Sequence, residues 1–436
     1  MHAPLADVVR RDDGRGVLLG FSGGLDSTVL LHLLAADANA RRDGLRAIHV
    51  HHGLHADADA WATHCQQTCD ALDVPLSIVR VEVDRASGLG LEGAARDARH
   101  RAFADALHDD EILVLAHHRD DQAETFLLRA LRGSGVDGLA AMRPWRAYAN
   151  GWLWRPLLDL PRKALLTHAR EHELRWLDDP ANADLRFDRN FLRDQVLPLL
   201  HERWPHASAS LARSAALGAQ AADLLEVEDA STLLRAMVDG TTLDIDALRL
   251  VPTARRARVL RRWIGGLGLP ALPGHAIERI ETLLLADGDA GACFEWAGAR
   301  IERWRTVLHV QRIREPLPTE WSQAWDGTMP LHLPTGDTLS LLGVTGFDQS
   351  LRVHARQGGE RIALPRRGHS HALKHVLQEQ GMPPWQRTQL PLLSSADGEL
   401  LAAGDAILSA SLAEWLGARD ARLQRKIGRA SCRERV

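Results

Sequence analysis

Between the apolar run GVLLGF (16–21) and the leucine-rich stretch TVLLHLLAA (28–36) stands the six-residue segment SGGLDS (22–27). The run before it is short and continuously apolar, as a strand buried on both faces must be, and the leucines after it recur at helical spacing. Strand, tight glycine turn and helix in that order form the phosphate-binding junction of a parallel α/β layer. Gly23 and Gly24 let the backbone approach an anion, and the hydroxyls of Ser22 and Ser27 can donate to its oxygens. The helix N-terminus adds unpaired N–H groups and a partial positive charge. Asp26 cannot donate to phosphate, which makes it a candidate Mg²⁺ ligand beside one. With neither the GxxxxGK[ST] lysine nor GxGxxG spacing, the segment is not a Walker A loop or a dinucleotide fingerprint. The bland alternative is a capped tight turn.

The pattern repeats. LRAIHVH (45–51), LSIVRVEV (76–83) and EILVLAHH (111–118) are the next strand candidates, with helices expected at 56–72, 91–107 and from DDQAETFLLRAL onward. Strand and helix in alternation predict an α/β fold with a doubly wound parallel sheet. A chain of 436 residues has room for two to four domains. The expected division is 1–208 as a catalytic domain with a helical extension, 211–315 as a mainly helical domain, and 320–425 as a small α+β domain beyond the proline-rich REPLPTEW (314–321). Residues 426–436 continue none of these patterns; IGRASCRERV resembles the translation of a common sequencing-library adapter, so a non-native tail is expected there, the alternative being a disordered basic tail.

With 53 basic against 57 acidic residues the net charge is -4, so a nucleic-acid partner has to be held by local patches. Residues 352–375 form one: Arg352, Arg356, Arg361, Arg366, Arg367 and Lys374 face a single acid, Glu360. RRARVLRRW (255–263) is a second basic run, or a solvated helix face. Four cysteines make a disulfide framework improbable, and Cys65 and Cys69 lack CxxC spacing. The start, MHAPLADVVRRDD, has no signal-peptide apolar stretch, which leads us to expect the cytoplasm and no membrane partner.

HHRDDQAET (117–125) follows the fourth strand, at the same carboxyl edge of the sheet as SGGLDS. Asp120 and Glu124 are four apart, and Asp121 and Glu124 three apart, so these carboxylates converge on one side of a helix start; dipole stabilisation is the alternative. Arg189 and Arg193, four apart, can meet phosphate oxygens bidentately unless they simply serve solubility. His49, His51, His52 and His55 fall on alternate strand faces, which favours nucleotide contacts or packing over a metal site.

SGGxDS after a strand is the signature of the PP-loop ATP pyrophosphatases, and this chain resembles that superfamily. HxxDDQxET in register at 117–125, AIHVHHGLHADAD (47–59), LRGSGVDGLAAM (131–142), RPLL (155–158) and FDRNFLR (187–193) resemble the tRNA(Ile)-lysidine synthases; residues 356–387 resemble their tRNA-gripping C-terminal domain. A tyrosine is common in that family where this chain has Phe187. The resemblance implies that ATP binds with Mg²⁺ at Ser22, Gly23, Gly24, Leu25, Asp26 and Ser27. The C2 oxygen of the wobble cytidine of a CAU-anticodon isoleucine tRNA is then adenylated, and free lysine displaces AMP. It casts Asp26, Asp121, Glu124, Arg189 and Arg193 as catalytic and Asp26 and Asp121 as Mg²⁺ ligands. Arg356, Arg361, Arg366, Arg367 and Lys374 fall to the tRNA, and a homodimer is allowed. A tRNA thiolase of the same superfamily is the alternative, along with a catalytically dead tRNA-binding module.

Overall fold

Alternation along the central strands decides the architecture of the first part of the chain. In the computed structural model, which describes residues 5–84, 90–285 and 292–428, β1 (Val17–Gly20), β2 (Leu45–His51), β3 (Leu76–Arg80) and β4 (Ile112–Val114) are joined by β5 (Trp145–Tyr148) and β6 (Gly151–Trp154). Val17, Leu19, Ala47, Ile112 and Val114 pack on one face against Leu30 and Leu34 of helix Leu25–Ala36, Cys65 and Cys69 of Ala58–Ala71, and Leu165 of Arg162–Glu171. Their strand neighbours Leu18, Ile48 and Leu113 point to the other face, where Phe103 of helix Gly90–Ala106 covers them. A period of two with both faces buried is what an uninterrupted apolar run encodes in a parallel sheet.

The sheet order is β3-β2-β1-β4-β6-β5, parallel except for the β5–β6 hairpin. Strand order therefore reverses between β1 and β4, leaving a crevice outside their carboxyl ends. The hairpin has no counterpart in the sequence expectations. Trp145 and Trp154 face each other across it with rings 5.0 Å apart, and Ala149 turns it at φ +46°. Gly151 is required there, because a Cβ would stand 2.1 Å from the Glu111 carbonyl oxygen.

The chain divides into two compact units, 1–226 and 227–436; the division falls inside helix Ala207–Ala236 rather than near 208. In the second unit, helices Ile245–Arg249, Thr253–Gly266 and Ala276–Leu285 cover a five-stranded antiparallel sheet built from residues 237–312. The run 255–263 is spent on internal ion pairs: Arg255 with Glu228, Arg256 with Glu281 and Arg258 with Asp229. Beyond residue 320 two further sheets and helices Leu373–Glu379 and Ala410–Gly417 enclose their own cores. The last strand, Arg422–Lys426, pairs Lys426 with Thr338, and the Gly428 N–H donates to Asp337 at 3.0 Å. The tail expected from 426 thus begins inside ordered structure, while residues 429–436 lie outside the described residues. Among the described residues no helix is long and apolar enough to cross a membrane.

Candidate functional site

The SGGLDS loop leaves β1 and feeds helix Leu25–Ala36, whose first intrahelical bond is from Thr28 N–H to Gly24 oxygen. The N–H groups of Leu25, Asp26 and Ser27 are left for a ligand. Gly23 sits at φ +81°, and a Cβ on it would come within 2.9 Å of Cys65 Sγ and 3.0 Å of Leu177. Leu177 also straps the loop from above: its N–H donates to Gly23 oxygen at 2.9 Å, and Gly24 pairs with it as an isolated parallel bridge. Ser22 and Ser27 hydroxyls lie 3.0 Å apart.

A cleft of about 420 Å³ opens over this loop, lined by Ser22, Asp26, Ser27 and Asp121 together with Arg96 and Arg99. A second cavity of about 600 Å³, bounded by Trp61, Phe187 and Arg189, shares His49, His52, Arg96, Arg99 and Arg193 with the first. At its rim His55 stacks on Trp61 with centroids 4.8 Å apart. A larger cavity of about 780 Å³ lies within residues 227–436, but it holds neither a phosphate loop nor a pair of carboxylates.

HHRDDQAET divides its acids among three tasks. Asp120 accepts the Arg162 N–H at 2.9 Å and so caps the next helix. Asp121 faces the cleft; burial opposes its ionisation, but His118, His117 and Arg189 outweigh that and hold it below the usual carboxylate range. Glu124 is 0% exposed and lines neither cavity. It accepts from Arg189 Nε at 2.9 Å and from Arg193 Nε and Nη2 at 2.7 and 3.1 Å. Burial pushes the Glu124 carboxyl up, whereas Glu124 and Asp121 overcome burial to raise Arg193; hydrogen bonds from two guanidiniums make the ionised network the form we assign. Glu124 therefore stands behind the arginines rather than beside Asp121 at the cleft, where their spacing on the helix had both converge. Arg193 reaches the cleft and Arg189 the second cavity already oriented, with Arg193 also 3.3 Å from Asp121.

Two features had no sequence signal. Arg96 and Arg99, three apart on helix Gly90–Ala106, make no ion pair among the described residues; burial first, then Arg189 and, at Arg99, Arg96, lowers both pKa values. Such a like-charged cluster is relieved by an anion. His118, 1% exposed, occupies the N-cap of helix Arg119–Leu131, where its position between strand and helix was the one available hint.

A divalent cation fits the acidic side. Asp26 Oδ1 is buried without a hydrogen-bond partner, with Arg162 Nε 3.8 Å away, and Asp121 lines the same cleft. No group of three His, Cys, Asp or Glu donors is assembled among the described residues, which suits a metal that keeps waters and phosphate oxygens in its shell. Cys65 and Cys69 lie beneath the loop, fully buried, their thiols pushed up to about 12 mainly by burial.

In the second unit Arg361, Arg366, Arg367 and Lys374 lie exposed on or beside hairpin 361–372 and the helix that follows. Arg367 pairs with Glu379, while Arg361, which bonds only to Ser370, and Arg366 and Lys374 are without an ion pair among the described residues. Arg356 turns inward to the Arg387 carbonyl at 3.2 Å.

A PP-loop domain model matches residues 1–200, a TilS substrate binding domain 243–309 and a TilS substrate C-terminal domain 351–424. The tRNA(Ile)-lysidine synthase of Xanthomonas axonopodis pv. citri is 57% identical over 411 residues, covering 94% of this chain and 93% of its own. That of Xylella fastidiosa strain Temecula1 is 53% identical over 428 residues, 97% of each. That of Escherichia coli O157:H7 is 42% identical over 412 residues, 92% of this chain and 94% of its own. A glycine loop at the switch point and near full-length identity to these enzymes agree: the chain belongs to the tRNA(Ile)-lysidine synthase family.

Proposed function

We infer that the chain is an ATP-dependent ligase that joins free lysine to C2 of the wobble cytidine in a CAU-anticodon isoleucine tRNA. The C2 oxygen attacks the α-phosphorus of ATP, and pyrophosphate leaves. The lysine ε-amine then displaces AMP, carrying the oxygen away on the phosphate and leaving lysidine. The observation that carries this reading is one cleft lined by the SGGLDS loop, Asp121, Arg96, Arg99 and Arg193 and sharing its arginines with a second cavity.

In this reading the loop N–H groups and the Ser22 and Ser27 hydroxyls bind the phosphates, while the arginines offset charge building on the leaving pyrophosphate. Asp26 and Asp121 would hold Mg²⁺, which supplies further neutralisation of the phosphates. The second cavity takes the cytidine, with Arg189 and Arg193 at its edge. Thiolation is the weaker alternative, since Cys65 and Cys69 are sealed and protonated.

The test is purified protein with unmodified isoleucine tRNA, ATP and labelled lysine. The expected outcome is tRNA-dependent labelling with one AMP released per lysine, abolished by Asp26→Asn with tRNA binding retained. No labelling and no AMP from the parent protein would overturn the reading.

A further inference from the structure

One side chain outside the expected set touches both cleft carboxylates. His118 Nδ1 accepts the Asp121 N–H at 3.3 Å, and the His118 N–H donates to Asp121 Oδ2 at 3.0 Å, a reciprocal capping box that fixes the ring. With the Nδ1 lone pair engaged, the ring proton belongs on Nε2. Nε2 stands 3.6 Å from Asp26 Oδ2 and 3.5 Å from Asp121 Oδ2. These carboxylates come from different strand ends, after β1 and after β4, and their charges repel. Arg162 approaches Asp26 at 3.8 Å and Arg193 approaches Asp121 at 3.3 Å, so each arginine meets one carboxylate of the pair whereas His118 meets both.

A cap alone does not call for histidine, since Asn, Asp, Ser and Thr are the favoured N-caps. The second nitrogen is what histidine adds. We propose that His118 is a positioning residue for ligation: through Nε2 it sets the spacing of Asp26 and Asp121 at which they serve the nucleotide, separately from its capping through Nδ1. The inference rests on the proposed ligase reading. Contacts of 3.5 Å tighten when the reacting complex forms, as is common for catalytic hydrogen bonds in ligand-free sites.

The two nitrogens can be tested separately in the full-length protein. His118→Asn places an amide oxygen near Nδ1 and withdraws the Nε2 donor; His118→Gln reaches the Nε2 position and gives up the cap. We expect His118→Asn to keep the parental Tm and tRNA affinity while kcat falls about 10- to 100-fold, as for lost partners of metal-site ligands. His118→Gln should lose about 2–4 °C in Tm yet retain more kcat than His118→Asn. Calorimetric binding of α,β-methylene ATP, with and without Mg²⁺, gives a readout independent of turnover: His118→Asn should shrink the Mg²⁺-dependent gain in affinity, and His118→Gln should shrink it less. Equal gains in all three proteins, or kcat losses that follow the Tm losses, would overturn the role. A parent that binds the analogue as described but ligates no lysine would instead overturn the ligase reading.

Discussion

Glu124 anchors two arginines with one buried carboxylate, so its loss is felt at both. Glu124→Gln keeps the shape but leaves Arg189 a partly buried cation without a carboxylate partner and Arg193 with Asp121 alone, and should cost about 3 kcal/mol of stability by urea denaturation, with lysine ligation lost as the guanidiniums swing. A stability change within experimental error would remove Glu124 as the anchor. The sequence marked Ser22 to Ser27 and Asp121 because each lies in a contiguous motif whose residue types have few other uses. Arg96 and Arg99 come from the middle of one helix and Arg162 and His118 from the starts of two others, and 50 of the 53 basic residues are arginine, so no local pattern singles out the ones facing the cleft.

The central strands were legible because each alternates between two apolar layers. The β5–β6 hairpin was not, since β5 is largely exposed and lacks an apolar run, and the pairing information lies in a tryptophan pair opposite one another across the turn. Partly buried histidines lining the cleft also have a consequence for pH. Burial and Arg155, outweighing Asp121, push His117 down to about 3, so it is neutral when folded. Below pH 6.5 the unfolded chain binds a proton that the folded chain refuses. Stability from His117 therefore falls as pH drops from 6.5 toward 3, by about 2 kcal/mol at pH 5. His52 and His100, both pushed down to about 4 mainly by burial, act in the same direction. His118 opposes them: Asp26, Asp121 and Asp120 overcome its burial and raise its pKa, so its stabilisation is complete below 6.5 and is lost as pH rises through the raised value. His309, also pushed down to about 4 mainly by burial, adds to the lowered rings, so the urea midpoint at pH 5 should lie below that at pH 7.5; the reverse order would contradict the partial burial of these rings.

For the whole molecule, a net charge of -4 has to coexist with binding a polyanion. Counting arginines in sequence found two basic runs of similar density, yet ion pairing separates them: three of the five arginines in 255–263 pair with Glu228, Asp229 and Glu281, while Arg366 and Lys374 face solvent. Neutralising Arg366 and Lys374 together should lower the slope of log Kd for tRNA against log salt by up to about 2, whereas Arg255→Gln should leave it unchanged. Arg366→Asn is the suitable replacement, because Arg366 sits at φ +63°, which asparagine tolerates. Equal slopes for parent and double variant would take this surface out of the tRNA interface.

The thiol sealed beneath Gly23 makes the phosphate loop its own clock. A maleimide can reach Cys65 only when the loop and the Leu177 strap lift together, whereas Cys293 is open to the reagent throughout. Peptide-resolved alkylation of the native protein therefore times the opening of the nucleotide site without an added label. ATP should slow modification at Cys65 and leave Cys293 unchanged.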